Sequence, residues 1–189
     1  MILDRDFRRE FDWRGKRLRV GFLLPESRTK IAAGLAFMSK ESIRHRFFGI
    51  KNGFTDRELK HLTEIDGYHH FALGLEEVDA PERGIGVMRM VRNDLNHEEA
   101  ELALLLIDDY QRQGLGDLLI KLALVAAEER GINTLRFTFL PDNEGIRRLI
   151  RRFGKTVHTQ EAYDQVTEFL TIAPEAVAKS RASLAGLLP

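Results

Sequence analysis

The sequence predicts a mixed α/β domain, a central sheet of about six to seven strands flanked by helices. Three observations predict it. Apolar residues alternate with a period of two in RLRVGFLL (Arg17–Leu24), which puts Leu18, Val20, Phe22 and Leu24 on one face. Ala100–Ile107 is apolar on both faces except at Glu101, the pattern of a buried strand. That strand leads through a glycine-bearing turn into an amphipathic helix from about Gly116 to Arg130, whose stripe is Leu115, Leu118, Leu119, Leu122 and Ala126 and which Gly131 ends.

The other elements follow in order. Pro25 and Glu26 open a helix to about Met38, with Ile31, Leu35 and Met38 at helical spacing. Thr55-Asp-Arg-Glu58 is a capping-box pattern ahead of Leu59, Leu62 and Ile65. Phe71–Leu75 and Ile85–Val91 read as two strands of a hairpin joined through Pro81 and Gly84. Thr134–Leu140 is a strand, and Pro141-Asp-Asn143 starts a helix carrying Ile146, Leu149, Ile150 and Phe153. Strand-like segments near Lys155–Thr159 and Gln165–Thr171 precede an Ala-rich C-terminal helix. With no repeat and no Pro/Ser-rich linker, residues 1–189 are expected to form one domain, a core at about 15–172 with a helical extension at 173–189.

Composition narrows the function. Lys+Arg and Asp+Glu both total 29, so no bulk charge favours nucleic acid or a membrane surface, and neither is expected as a partner. A cysteine count of zero excludes disulfides, thiolate catalysis and cysteine–zinc sites. MILDRDFRRE has no apolar signal region, and LALLLI (Leu102–Ile107) is too short to span a bilayer. A cytoplasmic protein is the expectation; oligomeric state is not legible.

The turn before the long helix reads DDYQRQGLGDLL (Asp108–Leu119). The first amides of a helix lack internal partners and carry partial positive charge, and glycines let a phosphate approach them, so Gly114 and Gly116 sit where an anion could bind. Two phosphate motifs are absent. There is no GxxxxGK[ST], and Leu119 stands where GxGxxG needs its third glycine.

Gln111-Arg-Gln-Gly114-Leu-Gly116 matches the Q/R-x-x-G-x-G/A motif of the GNAT superfamily of acetyl-CoA-dependent N-acyltransferases, and the chain resembles that superfamily over roughly residues 15–157. AELALLLIDDYQRQGLG, LPDNEGIRRLIRRFG, MSKESIRHRFFG (Met38–Gly49) and FTDRELKHLTEIDGYHHFALG (Phe54–Gly74) resemble the catalytic domain of the Pat-type protein lysine acetyltransferases. The resemblance implies a GNAT-like fold and acetyl-CoA as co-substrate without a metal. It also implies an amine acceptor, a protein lysine by likeness to the Pat-type subgroup. By it, the backbone amides of Arg112, Gln113, Gly114, Leu115, Gly116 and Asp117 cradle the pyrophosphate, and the backbone of Leu104 and Leu106 pairs with the pantetheine arm. Asn143 then touches the pantetheine or the cofactor rim, although a helix cap explains the same residue.

Glu101 is the odd residue of its strand. A carboxylate there must be paired, partly wet or shifted upward in pKa. A lysine of pKa about 10.4 is protonated at neutral pH and cannot attack a thioester, so acyl transfer needs a proton acceptor. Pat-type domains carry their general base in the A-E-x-A context that Ala100–Ala103 preserves, which implies that role for Glu101. The plain alternative is a solvated strand end or a pair with Arg89. The tyrosine that many superfamily members use as acid is replaced by Ile150; Tyr110 and Tyr163 are alternatives that nothing in the sequence selects.

Other features have plainer readings. His69 and His70 are adjacent on a strand, point to opposite faces and chelate poorly, although a substrate-side role for one stays open; HEEAE at His97 lacks the second histidine of a zinc motif. Arg147, Arg148, Arg151 and Arg152 form a solvated helix face, with acidic partners or CoA phosphates as the alternative. Two functional classes remain, an N-acetyltransferase acting on a protein lysine or a small amine, and a non-catalytic acyl-CoA sensor. The cyclic-nucleotide or acyl-CoA-synthetase-like domains attached to some Pat-type proteins have no room within 189 residues.

Overall fold

The computed structural model describes residues 1–162 and 164–188, with backbone alone for 157–162. The strands are β1 (Arg8–Trp13), β2 (Lys16–Phe22), β3 (His70–Glu77), β4 (Gly84–Arg92), β5 (Glu99–Leu106), β6 (Thr134–Phe139), β7 (Thr156–Ala162) and β8 (Gln165–Thr171). The helices are α1 (Arg28–Gly34), α2 (Lys40–Phe47), α3 (Asp56–Thr63), α4 (Leu115–Glu129), α5 (Glu144–Arg151) and α6 (Pro174–Ser183). Among the described residues the strands form one eight-stranded sheet in the order β1-β2-β3-β4-β5-β6-β8-β7. Every pairing is antiparallel except β5 with β6.

The strand beyond the expected six to seven is β1. Its sequence RREFDW alternates exposed and half-buried positions, and the charged residues hide the period. Arg14 (φ 50) and Gly15 (φ 80), both left-handed, close a two-residue hairpin onto β2. The helix expected from Pro25 to Met38 is broken into a 3-10 turn at Pro25–Ser27, α1, and a second turn at Leu35–Phe37. None of those residues is fully buried, so little tertiary packing holds one continuous helix past Gly34. α2 has no counterpart in the sequence periodicity and also buries no residue fully. The capping box at Thr55 and Glu58 is present, with Glu58 N donating to Thr55 Oγ1 over 3.2 Å.

α4 is the central packing element. Leu115, Leu119, Leu122 and Ala126 are completely buried, and α4 packs on β4 and β5 with α6 on its other side. Each buried leucine contributes about 2 kcal/mol of transfer free energy. On the opposite face of the sheet α1 lies over β4 and packs against α3. Buried Arg130, just past α4, donates to the carbonyls of Leu3 (2.8 Å), Gly67 (2.7 Å) and Ala126 (3.0 Å), with its guanidinium 3.9 Å from the Phe71 ring centroid. One side chain thus ties the N-terminus, the entry to β3 and the end of α4 together, and burial pushes its pKa down to about 10.

Arg130→Ala should strand those three carbonyls and destabilise the fold by about 3 kcal/mol, read as a lower urea midpoint at unchanged slope. A loss below about 0.5 kcal/mol would show that water replaces the guanidinium freely.

Candidate active site

The site begins where a ladder stops. β5 and β6 pair only at Glu99↔Thr134, Ala100↔Leu135 and Glu101↔Arg136. Beyond that point β5 stays with β4 as far as Leu106, and β6 stays with β8 as far as Phe139. Two neighbouring strands therefore diverge, leaving β5 beyond Glu101 without a strand partner on that side. A groove of about 690 Å³ begins here, walled by Leu104, Leu105 and Leu106 of β5, by Arg112, Gly114, Gly116 and Asp117, by Asn143, Ile146, Arg148, Leu149 and Arg152, and by Ser42, His45 and Arg46 of α2. A second cavity, about 350 Å³, lies under α1 and meets the groove at Met38 and Leu105.

The glycine turn is shaped by its dihedrals. Arg112 (φ 55) and Gly114 (φ 94) are both left-handed, the second as the N-cap of α4. The amides of Leu115, Gly116 and Asp117 have no helical partner, and those of Arg112, Gln113 and Gly114 donate to nothing among the described residues. A Cβ on Gly116 would stand 3.0 Å from Leu149 Cδ2, so glycine there lets α5 pack close against the start of α4. The turn is braced from below. Gln111 Nε2 donates to the Leu106 carbonyl (2.9 Å) and to Ser42 Oγ (3.0 Å), and Gln113 Nε2 to the Asp109 carbonyl (2.5 Å). Asp108 accepts from Ser39 N (2.8 Å), Ser39 Oγ (2.7 Å) and Ser42 Oγ (2.9 Å), hydrogen bonds that hold its pKa below the usual value against the upward push of burial.

Of the residues expected to hold a cofactor, Leu104, Leu106, Arg112, Gly114, Gly116, Asp117 and Asn143 come together on the groove wall. Gln113 and Leu115 do not line it with side chains, since Leu115 is wholly buried in the core. Their amides lie in the turn. Asn143 caps α5, its Oδ1 accepting from Ile146 N over 3.2 Å, while its side also faces the groove. Arg148 and Arg152 are exposed, as the solvated reading expects, and also stand on the groove wall; Arg152 pairs with Asp117 over 3.0 Å. Arg147 turns away to Glu144 and Glu168, each at 3.6 Å.

Glu101 is on the last rung of the β5–β6 ladder, three residues before Leu104, where β5 joins the groove wall, and is not itself on that wall. Its Oε2 accepts from Arg136 over 2.8 Å, and its side chain is 44% exposed, so paired and partly wet is the outcome. Val91, directly across on β4, is itself 39% exposed, which leaves this corner of the sheet open to solvent. Arg89 sits diagonally on the same face and does not pair with Glu101. It is buried, donates to the Leu62 carbonyl over 2.8 Å and contacts His70 Nε2; burial pushes its pKa down to about 10.

Ile150 is fully buried and presents nothing to the groove. Tyr110 is buried too, its hydroxyl held between Glu77 and Lys16 Nζ (2.7 Å), away from the groove wall. Tyr163 lies outside the described residues. His69 is exposed against Tyr68, whereas His70 turns inward, as strand alternation requires. Among the described residues no group of acids and histidines is arranged to hold a metal. No helix among them is long and apolar enough to cross a membrane.

Burial, with the charge of Arg89 next in weight, lowers the His70 pKa to about 4. An unfolded histidine titrates near 6.5, so between about 6.5 and 4 the unfolded state binds more protons and stability falls with falling pH. His70→Gln should flatten that part of the stability–pH curve; a curve unchanged from wild type would remove His70 as its cause.

The sequence profile described as the acetyltransferase (GNAT) domain matches residues 21–156. The chain is 30% identical over 132 residues to Acetyltransferase Pat of Mycolicibacterium smegmatis, an alignment covering 70% of this chain and 39% of that protein. The GNAT domain of S. lividans PAT superposes with a TM-score of 0.76 at 20% identity, covering 87% of this chain and 97% of the other. A cAMP-binding acyltransferase from Mycobacterium smegmatis superposes with a TM-score of 0.59 at 22% identity, covering 95% of this chain and 54% of the other. The chain belongs to the GNAT acetyltransferase family, enzymes that move acetyl from acetyl-CoA to an amine.

Proposed function

We propose that the protein acetylates a primary amine, a protein lysine in the first instance, by direct attack of the amine on acetyl-CoA within a ternary complex. The observation that carries this reading is the early end of the β5–β6 ladder, which joins a groove ending at uncommitted amides to a solvent-open carboxylate at Glu101. Residues of about 15–172 make the acyltransferase core. α6 covers α4 through Arg181–Glu128 (2.7 Å) and Lys121–Ser183 (2.7 Å).

The residues present fit the co-substrate. Free amides at 112–117 suit a pyrophosphate, and the guanidinium groups of Arg112, Arg148 and Arg152 suit the further phosphate. The unpaired edge of Leu104–Leu106 suits an extended arm that carries amides. When bound, acetyl-CoA supplies an activated thioester carbonyl. Glu101 takes the proton of the acceptor ammonium, directly or through a water, and Arg136 holds that carboxylate in place while one oxygen stays free to work. The amine nitrogen then bonds to the carbonyl carbon and sheds its second proton to water as the carbon–sulfur bond breaks, and the leaving thiolate, whose thiol has a pKa near 8.5, takes a proton from solvent without a dedicated acid. The sequence contains no cysteine, which argues against a thiol-borne acyl-enzyme.

Thiol release from acetyl-CoA, measured with lysine-bearing proteins and small amines, tests the assignment. Glu101→Gln should lower kcat about tenfold or more with acetyl-CoA affinity retained; equal rates would remove Glu101 as base. Arg148→Ala should raise the KM for acetyl-CoA about fivefold and leave that for 3′-dephospho-CoA thioester nearly unchanged. An equal effect on both would detach Arg148 from the phosphate.

A further inference from the structure

Arg46 is not used by any step above. It lies near the C-terminus of α2, is half-buried, and lines the groove. Its guanidinium stands 5.4 Å from the Phe47 ring centroid and makes no hydrogen bond or ion pair among the described residues. Its neighbours on this side of the sheet are committed elsewhere. Arg136 is paired with Glu101, and Arg89 is bonded to Leu62 and His70. The strand registers Ala72↔Arg89↔Ala103 and His70↔Val91↔Glu101↔Arg136 put these groups in two adjacent rows of one face, beneath α2 and α3. Glu101 is the carboxylate whose charge acts on Arg46, and Arg46 is the charge that acts on Arg89. His70, with a pKa lowered to about 4, adds no charge at neutral pH.

Arg136 thus has the Glu101 carboxylate and Arg89 a carbonyl and an imidazole, which leaves Arg46 on the groove wall with no protein partner among the described residues. A half-buried guanidinium that no protein group pairs leaves its donors to water, and an anion that arrives with the substrate takes them in its place. A guanidinium takes a carboxylate through two parallel hydrogen bonds, which sets orientation as well as affinity.

We propose that Arg46 forms the carboxylate-binding subsite of this active site, receiving an acidic group carried either by the acyl chain of the donor or by the amine acceptor next to its reacting nitrogen. This rests on the acyltransferase reading, and it makes Arg46 a selector of substrate rather than a part of the proton path.

Calorimetric titration tests the subsite apart from turnover. In the donor arm, succinyl-CoA is compared with butyryl-CoA, which has the same chain length and no carboxylate. In the acceptor arm, β-alanine, whose carboxylate lies two carbons from its amine, is compared with β-alaninamide on protein saturated with CoA. The expected result is an affinity advantage of about tenfold for the acidic member in one arm, and that arm identifies the source. Arg46→Gln should abolish the ratio, whereas Arg46→Lys keeps part of it and shows that the fold survives the change. Ratios near one in both arms would overturn the subsite whether or not the protein turns over, and so would a ratio that persists in Arg46→Gln. An effect of Arg46→Gln confined to the pH dependence of turnover would also overturn it and reassign Arg46 to tuning the amine. Absence of thiol release from acetyl-CoA with every acceptor, alongside an intact ratio, would instead remove the acetyl-transfer reading and leave the subsite standing.

Discussion

The constraint on which the site depends is the competition between β4 and β6 for β5, and between β5 and β8 for β6. Each strand has a long antiparallel partner on its outer side, and their shared parallel ladder ends at Glu101↔Arg136. Parallel pairs are somewhat weaker per residue than antiparallel ones, and strands in a sheet are rotated against one another, so it is the inner ladder that gives way. The result is an unpaired stretch of β5 backbone inside the protein. Buried peptide groups need partners, and Gln111 supplies one by donating to the Leu106 carbonyl. The others suit a ligand that is itself extended and amide-bearing.

A groove opened this way has to be held open. α2 and the glycine turn, far apart in sequence, are locked through Asp108, Ser39, Ser42 and Gln111. On the other wall, Asp142 just ahead of α5 pairs with Arg44 and, at 3.3 Å, with His45 of α2. α2 thus bridges both sides of the groove. This explains how a helix that buries no residue fully keeps its place, and why Arg46, on the same helix, reaches the groove wall.

The elements legible in the sequence are those whose burial is periodic. The stripe of α4, the apolar run of β5 and the alternation of β8 are each set by which face meets the core, and β8 lies at Gln165–Thr171 as its pattern indicates. The capping box at Thr55 and the placing of Gly114 and Gly116 at the start of α4 are local chemistry and equally readable. What was not legible depends on long-range partners. β1 is charged because its face stays partly wet and its residues meet partners such as Arg19, which bonds Glu10 over 2.6 Å. α2 is placed by polar contacts to residues 66 or more positions away, which no window of periodicity contains. At the site, the turn motif identified the groove, but the arginines could not be sorted. Arg147, Arg148 and Arg152 look alike in sequence, and only the seat of α5 against Gly116 sends one to Glu168 and two to the groove.

The same point governs the charge. A net charge of zero, read as no bulk-charge footprint for nucleic acid, says nothing of how charges are distributed within a cleft. Acidic residues such as Glu10, Glu76, Glu77 and Glu128 are spent on ion pairs outside the groove. That leaves cations at both ends of it, Arg112, Arg148 and Arg152 at the mouth and Arg46 at the inner end, against Asp117 and Glu101. Walls of low dielectric concentrate such a field along the axis of the groove, where a ligand with anionic groups at both ends gains twice while a neutral-headed one gains once. On the proposed reading the phosphates of the co-substrate take the mouth in either case, and the inner end would then decide which substrates this protein distinguishes, through a helix that packing alone would hardly have fixed.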